Sequence, residues 1–262
     1  MDFNVSVFIL RGNMYKILLI GDDCIDEYQY GFVDRISPEA PVPVFNSSFK
    51  EVRLGMGSNV RANLEALGCV VTAFLGNKSV KTRLVDVKSC QHIVRIDNDV
   101  ISNPLNVKEI ISSVSCDSID AIVISDYNKG FITYELVEDL RKKFQSIPIF
   151  VDTKKTDLAK FEGCIVKVNS DENHKAISYC SDIIVTLGGD GARYRDVVYK
   201  AKKVEVVDVC GAGDTFLASL VYFYLKQNSS LTSAIPYAVS AASVTVQHMG
   251  VYSPKISEIV GV

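Results

Sequence analysis

Two glycines and an acid stand together in Cys210-Gly211-Ala212-Gly213-Asp214, directly ahead of the apolar stretch Thr215 to Lys226. Glycines allow tight turns and close backbone approach to a ligand, and a helix start leaves N–H groups without intrahelical partners. Together they make a place for an anion. A carboxylate beside a resting phosphate is repelled by it, so Asp214 has a purpose there if it touches a nucleophile instead. A phosphoryl acceptor hydroxyl needs a proton acceptor, and the transferring group needs N–H donors for its equatorial oxygens. Gly211, Ala212 and Gly213 read as the donors and Asp214 as the general base. The plain alternative is a glycine turn whose Asp caps the helix.

Other strings mix glycines with polar groups: Gly21-Asp22 with Asp26, Gly55-Met56-Gly57-Ser58-Asn59 with Asn63 and Gly68, Asn169-Ser170-Asp171-Glu172, and Thr186-Leu187-Gly188-Gly189-Asp190-Gly191. Taken singly, each is as well explained by turns and helix caps as by ligand contacts.

The elements that must position these residues follow from hydrophobic patterning. Lys16 to Ile20 is a short apolar run stopped by Gly21-Asp22-Asp23, as in a strand buried on both faces. Similar runs are 70–75, 121–125, 147–151, 165–168 and 183–187, and Val204 to Val209 alternates like a strand. Helical patterns occupy 59–67, 107–114, 133–144, 215–226 and 233–248. Strands alternating with helices predict an α/β fold with a mostly parallel central sheet covered on both faces. Arg35 to Phe45, with three prolines, suits only an exposed edge, and Lys81 to Val87 and Ile93 to Asp97 also read as strands. These pieces, over about 35–50 and 79–97, are expected to form a small projecting β lid. Residues 1–13 precede the first core strand. They are either a dispensable extension before a start at Met14 or an added strand or arm, and 14–262 is expected to be one domain.

Composition excludes several classes. Of 262 residues 48% are hydrophobic, enough for a substantial core and against disorder, and 28 basic against 31 acidic side chains, net −3, form no block of charge. No nucleic-acid footprint is present. The apolar run Phe3 to Leu10 is interrupted by Asn4 and Ser6 and lacks a basic flank, so neither a signal peptide nor a membrane contact is expected. Cysteines at 24, 69, 90, 116, 164, 180 and 210, an odd set without C-x-x-C spacing, point to a reducing cytoplasm and no structural zinc.

Asp208 with Cys210 to Phe216 resembles the D-x-T-G-A-G-D-T-F signature of the ribokinase-like (PfkB) carbohydrate kinases, with Cys210 where that family usually has Thr. Gly21-Asp22 with Asp26, and Gly55 to Asn59 with Asn63, are similar to its sugar-binding elements. Arg35 to Val44, Lys81-Thr82-Arg83, Arg95-Ile96-Asp97 and Ser125-Asp126-Tyr127 with Lys129-Gly130 look most like members that phosphorylate D-glycero-D-manno-heptose 7-phosphate. The resemblance spans roughly 15 to 258. It implies a ribokinase-like three-layer sandwich and ATP-dependent transfer to the anomeric hydroxyl of a heptose 7-phosphate or similar sugar phosphate. By position it makes Asp214 the base and the Gly211, Ala212 and Gly213 backbone the anion hole, and gives sugar hydroxyls to Asp26, Asn59 and Asn63. Asn169 and Glu172 match its N-x-x-E element, in which the acid organises Mg2+ through water. Thr186, Gly188 and Gly191 match its nucleotide loop. A monovalent cation such as K+ and a homodimer formed through the lid are implied as well. A substrate phosphate calls for fixed positive charge, for which Lys81, Arg83 and Lys129 are the candidates, with solvated surface cations as the alternative.

The chain departs from the pattern in definite places. After Gly76 only Asn77 to Val80 precede Lys81, where the family has a turn, a helix and a strand. The stretch after Glu172 is compressed, Met56 replaces a glycine, and Ser240 stands where Asn is common near the adenine. Two alternatives follow: a kinase of the same fold for another small sugar or nucleoside, or a catalytically idle sugar- or nucleotide-binding homologue.

Overall fold

In the computed structural model residues 14–115 and 118–260 are described; the expectations for residues 1–13, and Cys116, lie outside the described residues. β1 (Lys16–Ile36) opens with Ile17, Leu18, Leu19 and Ile20, all fully buried. Successive side chains of a strand point to opposite faces, so these four residues belong to two cores. Ile17 and Leu19 pack with Val60, Leu64, Phe216 and Leu220, whereas Leu18 and Ile20 pack with Ile110, Leu136 and Leu140. The result is a three-layer sandwich.

The chain continues through β2 (Pro43–Gly55), α1 (Met56–Ala66), β3 (Val70–Asp86), β4 (His92–Asn98), α2 (Val107–Ser113), β5 (Ala121–Asp126), α3 (Tyr134–Lys143), β6 (Ile149–Thr153) and β7 (Ile165–Asn169). Then come α4 (Ser170–Lys175), β8 (Asp182–Thr186), β9 (Ala192–Tyr194), β10 (Val197–Tyr199), α5 (Ala212–Lys226), α6 (Leu231–Thr245) and α7 (Ile256–Val260). The sheet runs β10-β9-β8-β7-β6-β5-β1-β3-β4, with β2 on β1. Pairings from β3 through β1, β5, β6 and β7 to β8 are parallel; β2, β4, β9 and β10 join antiparallel.

Gly21-Asp22-Asp23 reads as a stop, yet β1 runs on to Ile36. One oxygen of each acid takes backbone partners without reversing the chain: Asp22 Oδ2 accepts from the N–H groups of Tyr127 and Lys129, and Asp23 Oδ1 from that of Ser58. β3 does the same. Gly21 pairs with Leu75 and Asp23 with Lys78, so Gly76 and Asn77 bulge opposite Asp22 and the central strand passes straight into a lid strand. The short stretch after Gly76 is therefore a fusion of two strands. The lid consists of the outer halves of β1 and β3 with β2 and β4; it begins well before residue 35, and 37–42 is a turn.

The lid's two faces follow from register. Tyr28 lies opposite Glu51 and Arg83, and Asp26 opposite Arg53 and Lys81, on the face that also bears Cys24; Glu27 lies opposite Val52 and Thr82, and Thr82 opposite Ile96, on the other. One face is charged and the other largely apolar.

Val204 to Val209 forms no strand: the segment is irregular, with exposed Val206, Val207 and Val209, and Val207 and Asp208 donate backbone N–H bonds to the Val246 carbonyl at the end of α6. The alternation comes from valines lining a cavity, not from a sheet.

Candidate active site

Gly211 precedes α5 with φ 76°, a left-handed conformation in which a Cβ would come 2.8 Å from Asn59 Nδ2. The helix start has no side-chain cap, which leaves first-turn N–H groups for a ligand; Ala212 spends its own on the Val209 carbonyl at 3.3 Å. Gly211, Gly213 and Asp214 line a cleft of about 340 Å³ with Tyr127, Asp152, Lys154, Lys167 and Asn169.

Asp214 is buried and doubly held. Its Oδ2 accepts from Asn59 Nδ2 at 2.8 Å and its Oδ1 from the Tyr127 hydroxyl at 3.0 Å. Burial raises its pKa to about 6 and the nearby Asp152 adds to the rise, against the Asn59 bond, Lys167 and the Tyr127 bond. A base near that value is ionised at neutral pH and still takes a proton. The plain reading of Asp214 as a cap is not realised, since its carboxylate points away to Asn59 and Tyr127.

Asn59 and Asn63, one turn apart on α1, have different positions. Asn63 donates to Asn59 and accepts from Thr215, whose hydroxyl in turn meets that of Thr245. Asn63 is thus a buried tie between α1, α5 and α6 behind Asn59. The turn entering α1 puts Met56 at φ 49°, the left-handed conformation for which a glycine is usual.

On the lid side Arg83 donates to Asp26 at 2.5 Å, with both side chains about nine-tenths buried. Arg83 and Arg53 each lie 5.1 Å from the Tyr28 ring. Burial pulls the Arg83 pKa down, but Asp26 outweighs it and the net shift is upward. Lys129 is paired with Asp99, and Lys81 reaches the Tyr127 ring at 5.7 Å. Of the three candidate phosphate readers, Lys81 makes no ion pair among the described residues.

The opposite side of the cleft is built on a helix cap. Asn169 caps α4 in a reciprocal box: Glu172 N–H donates to Asn169 Oδ1 at 2.8 Å, and the Asn169 N–H and Nδ2 donate to the Glu172 carboxylate at 2.7 and 2.9 Å. Lys154 also bridges to Glu172. Three donors on one carboxylate leave room for a water rather than a bare ion, and no cluster of three His, Cys, Asp or Glu ligands occurs among the described residues. A hydrated Mg2+ fits this donor set; a closed protein cage does not. Thr186, Gly188 and Gly213 also border an apolar cavity of about 430 Å³, walled by Val204, Val206, Val209, Phe216, Val239 and Val246 and reached also by Gly191. Gly191, at φ 99°, lies so close to the Tyr199 carbonyl that no side chain fits. Ser240 is turned away, donating to the Ile259 carbonyl.

Four groups received no role in the sequence reasoning, although Tyr127 lay within a matched string. Lys167, Asp152, Lys154 and Tyr127 all line the cleft. Lys167 is buried, bridges Asp152 at 2.8 Å and lies 3.0 Å from the point a Gly213 Cβ would occupy. Burial pulls the Lys167 pKa down, yet Asp152 outweighs it and holds the amine charged. A lysine inside the run Ile165 to Val168 was the available signal, because a charge in a doubly buried strand needs a partner.

Comparison with known proteins bears on the family and the fold. The family described as pfkB family carbohydrate kinase matches residues 136–258. The chain is 32% identical over 298 residues to the bifunctional protein HldE of a Nitratiruptor species, covering 93% of this chain and 64% of that protein. It is 32% identical over 307 residues to the protein of the same name from Helicobacter pylori, covering 94% and 66%. The chain therefore spans about 64% of the length of the first of these curated relatives, and the alignments are longer than the chain, so the relatives hold residues it lacks. Among solved structures, phosphofructokinase-2 from Escherichia coli in complex with potassium superposes with TM-score 0.71 at 15% identity, covering 95% of this chain and 97% of that one. Arabidopsis thaliana ribokinase complexed with ribose and ATP gives 0.69 at 14%, covering 95% and 98%. At such identities these two show a shared fold.

Proposed function

The chain belongs to the pfkB family of carbohydrate kinases, and on that premise we propose that it transfers the γ-phosphoryl group of ATP to the anomeric hydroxyl of a heptose 7-phosphate or a similar sugar phosphate. The observation that carries this reading is Asp214: a buried, doubly hydrogen-bonded carboxylate, with a pKa of about 6, at an uncapped helix start behind a left-handed glycine.

The base, ribose and phosphates of ATP suit the apolar cavity and the adjoining cleft, with Thr186, Gly188 and Gly191 along their edge. The sugar enters from the lid side, past Asp26 and Lys81. Asp214 takes the proton of the attacking hydroxyl, and the Gly211–Gly213 turn receives the equatorial oxygens of the transferred group. Lys167 lies beside Gly213 and supplies fixed positive charge to the same point. Asn169 and Glu172 would hold Mg2+ through water; when bound, it neutralises phosphate charge.

A second reading, a same-fold kinase for another small sugar, is favoured by one observation: Arg83 and Lys129 are already paired with Asp26 and Asp99. Both readings are separated by one experiment, ATP turnover against a panel of sugar phosphates, free sugars and nucleosides with the product identified by phosphorus NMR. Transfer to C1 of a 7-phosphorylated heptose supports the first, transfer only to another acceptor the second, and ATP binding without transfer to any acceptor means an idle homologue.

A further inference from the structure

Resting on that kinase reading, we propose that Tyr127 is a positioning residue for Asp214: its hydroxyl and the Asn59 amide form a two-donor clamp that fixes the carboxylate toward the acceptor and keeps it ionised. The clamp is built from two separate elements. Asn59 reaches Asp214 Oδ2 from α1, and Tyr127 reaches Oδ1 from the turn after β5.

The surroundings of Tyr127 are over-determined for a residue that merely fills space. Its backbone N–H donates to Asp22 Oδ2 at 2.8 Å, as does that of Lys129 at 3.2 Å. The preceding Asp126, fully buried, accepts from Thr153 at 2.7 Å, Lys155 at 2.6 Å and the Asn128 N–H at 2.9 Å. Two buried carboxylates thus pin one turn, in which Asn128 takes φ 58° and Gly130 φ 91°. The ring itself is met by Lys81 from the lid at 5.7 Å and by Lys154 from the loop after β6 at 5.2 Å. Tyr127 therefore stands between the acceptor and nucleotide sides with its hydroxyl on the base. Such support is what a catalytic group needs to be held in one geometry.

The electrostatic need for a second donor is equally specific. Facing Asp214 are Asn59 from α1, Asp152 from β6, Lys167 from β7, Tyr127 from the β5 turn and Cys24 from β1. Burial and Asp152 push the carboxyl toward its neutral form, which cannot accept a proton; Asn59, Lys167 and Tyr127 oppose them. Burial and the carboxylates of Asp214 and Asp152 also keep the Tyr127 phenol protonated, so it remains a donor at working pH.

The test is Tyr127→Phe, which keeps the ring and removes only the donor. Carbon-13 NMR of aspartate carboxyls in the full chain without substrates, with Asp214 assigned by Asp214→Asn, reads the titration of the base directly. Its midpoint should move about one pH unit higher in the variant, the worth of one hydrogen bond to a charged group. The acidic limb of kcat should move with it, so that the variant loses several-fold more activity at pH 6 than at pH 8 while the KM for ATP stays within about twofold. An unchanged midpoint, or an equal loss at every pH, overturns the proposal. Should no sugar be phosphorylated by the unaltered chain, the kinase reading falls, and the NMR midpoint still decides whether the clamp exists.

Discussion

A buried acid titrating near 6 has opposite consequences for function and for stability. Asp214→Asn removes the proton acceptor, and transfer is expected to fall by roughly 100- to 10,000-fold. ATP affinity measured by calorimetry should change only a few-fold, because in the proposed role the carboxylate meets the acceptor and not the nucleotide. The same substitution should stabilise the fold. The Asp214 pKa rises from 3.8 to about 6, so the native state holds the proton more tightly than the unfolded chain. The carboxylate therefore opposes folding above about pH 6, by up to about 3 kcal/mol, and ceases to do so below about pH 4. Thermal melts should show Asp214→Asn more stable than the parent at pH 8, with the gap closing as pH falls toward 4. A gap independent of pH would mean that the carboxyl is not destabilised by its surroundings. Asp214 and the Gly211 turn were legible in the sequence because they lie within four residues; the Lys167–Asp152 bridge was not, since its two residues are fifteen apart and meet only when β6 and β7 pair.

Within the lid, two cations that look alike in the sequence, two residues apart on β3, are expected to behave differently. Arg83 is spent on Asp26 inside the protein, so Arg83→Ala leaves a buried carboxylate unpaired and should cost about 3 to 5 kcal/mol of stability. Lys81 makes no ion pair among the described residues, which is what the proposed phosphate contact requires. If the acceptor carries a phosphate, Lys81→Ala should weaken the phosphorylated sugar roughly 30-fold or more, within the range of about 2 to 5 kcal/mol for one lost charged partner. Binding of the unphosphorylated sugar should barely change, and equal losses for both would assign Lys81 to lid shape. Residue type and spacing alone could not rank these two, because pairing depends on the register that sets Asp26 opposite Lys81 and leaves Arg83 on the diagonal. Strand positions in the central sheet were readable from apolar runs bounded by turn residues. The long reach of β1 and β3 was not, because Gly21-Asp22-Asp23 and Gly76-Asn77 have turn composition while serving as a junction between body and lid strands and a bulge.

At the scale of the molecule, one continuous sheet spans body and lid, and its outermost part leaves apolar side chains in water. Val52, Leu54, Val94 and Ile96 are all exposed, and register places Val52 and Ile96 on the lid face away from Asp26 and Arg83. Apolar positions grouped on one face of a thin sheet are what a docking surface presents. A second copy of the chain is the partner we expect, with the apolar faces of two lids stacked about a two-fold axis. In such an interface each substitution acts twice, once from each subunit. Val52→Lys together with Ile96→Lys would bring like charges together, at a cost of several kcal/mol. Sedimentation velocity should give a dimer for the parent and a monomer for the double variant, with both keeping the same circular dichroism. If the charged face of the lid meets the sugar, as proposed, loss of the dimer should also raise the KM for the acceptor more than that for ATP. A parent chain that stays monomeric at high micromolar concentration, with these four side chains still exposed, would show that the lid works alone.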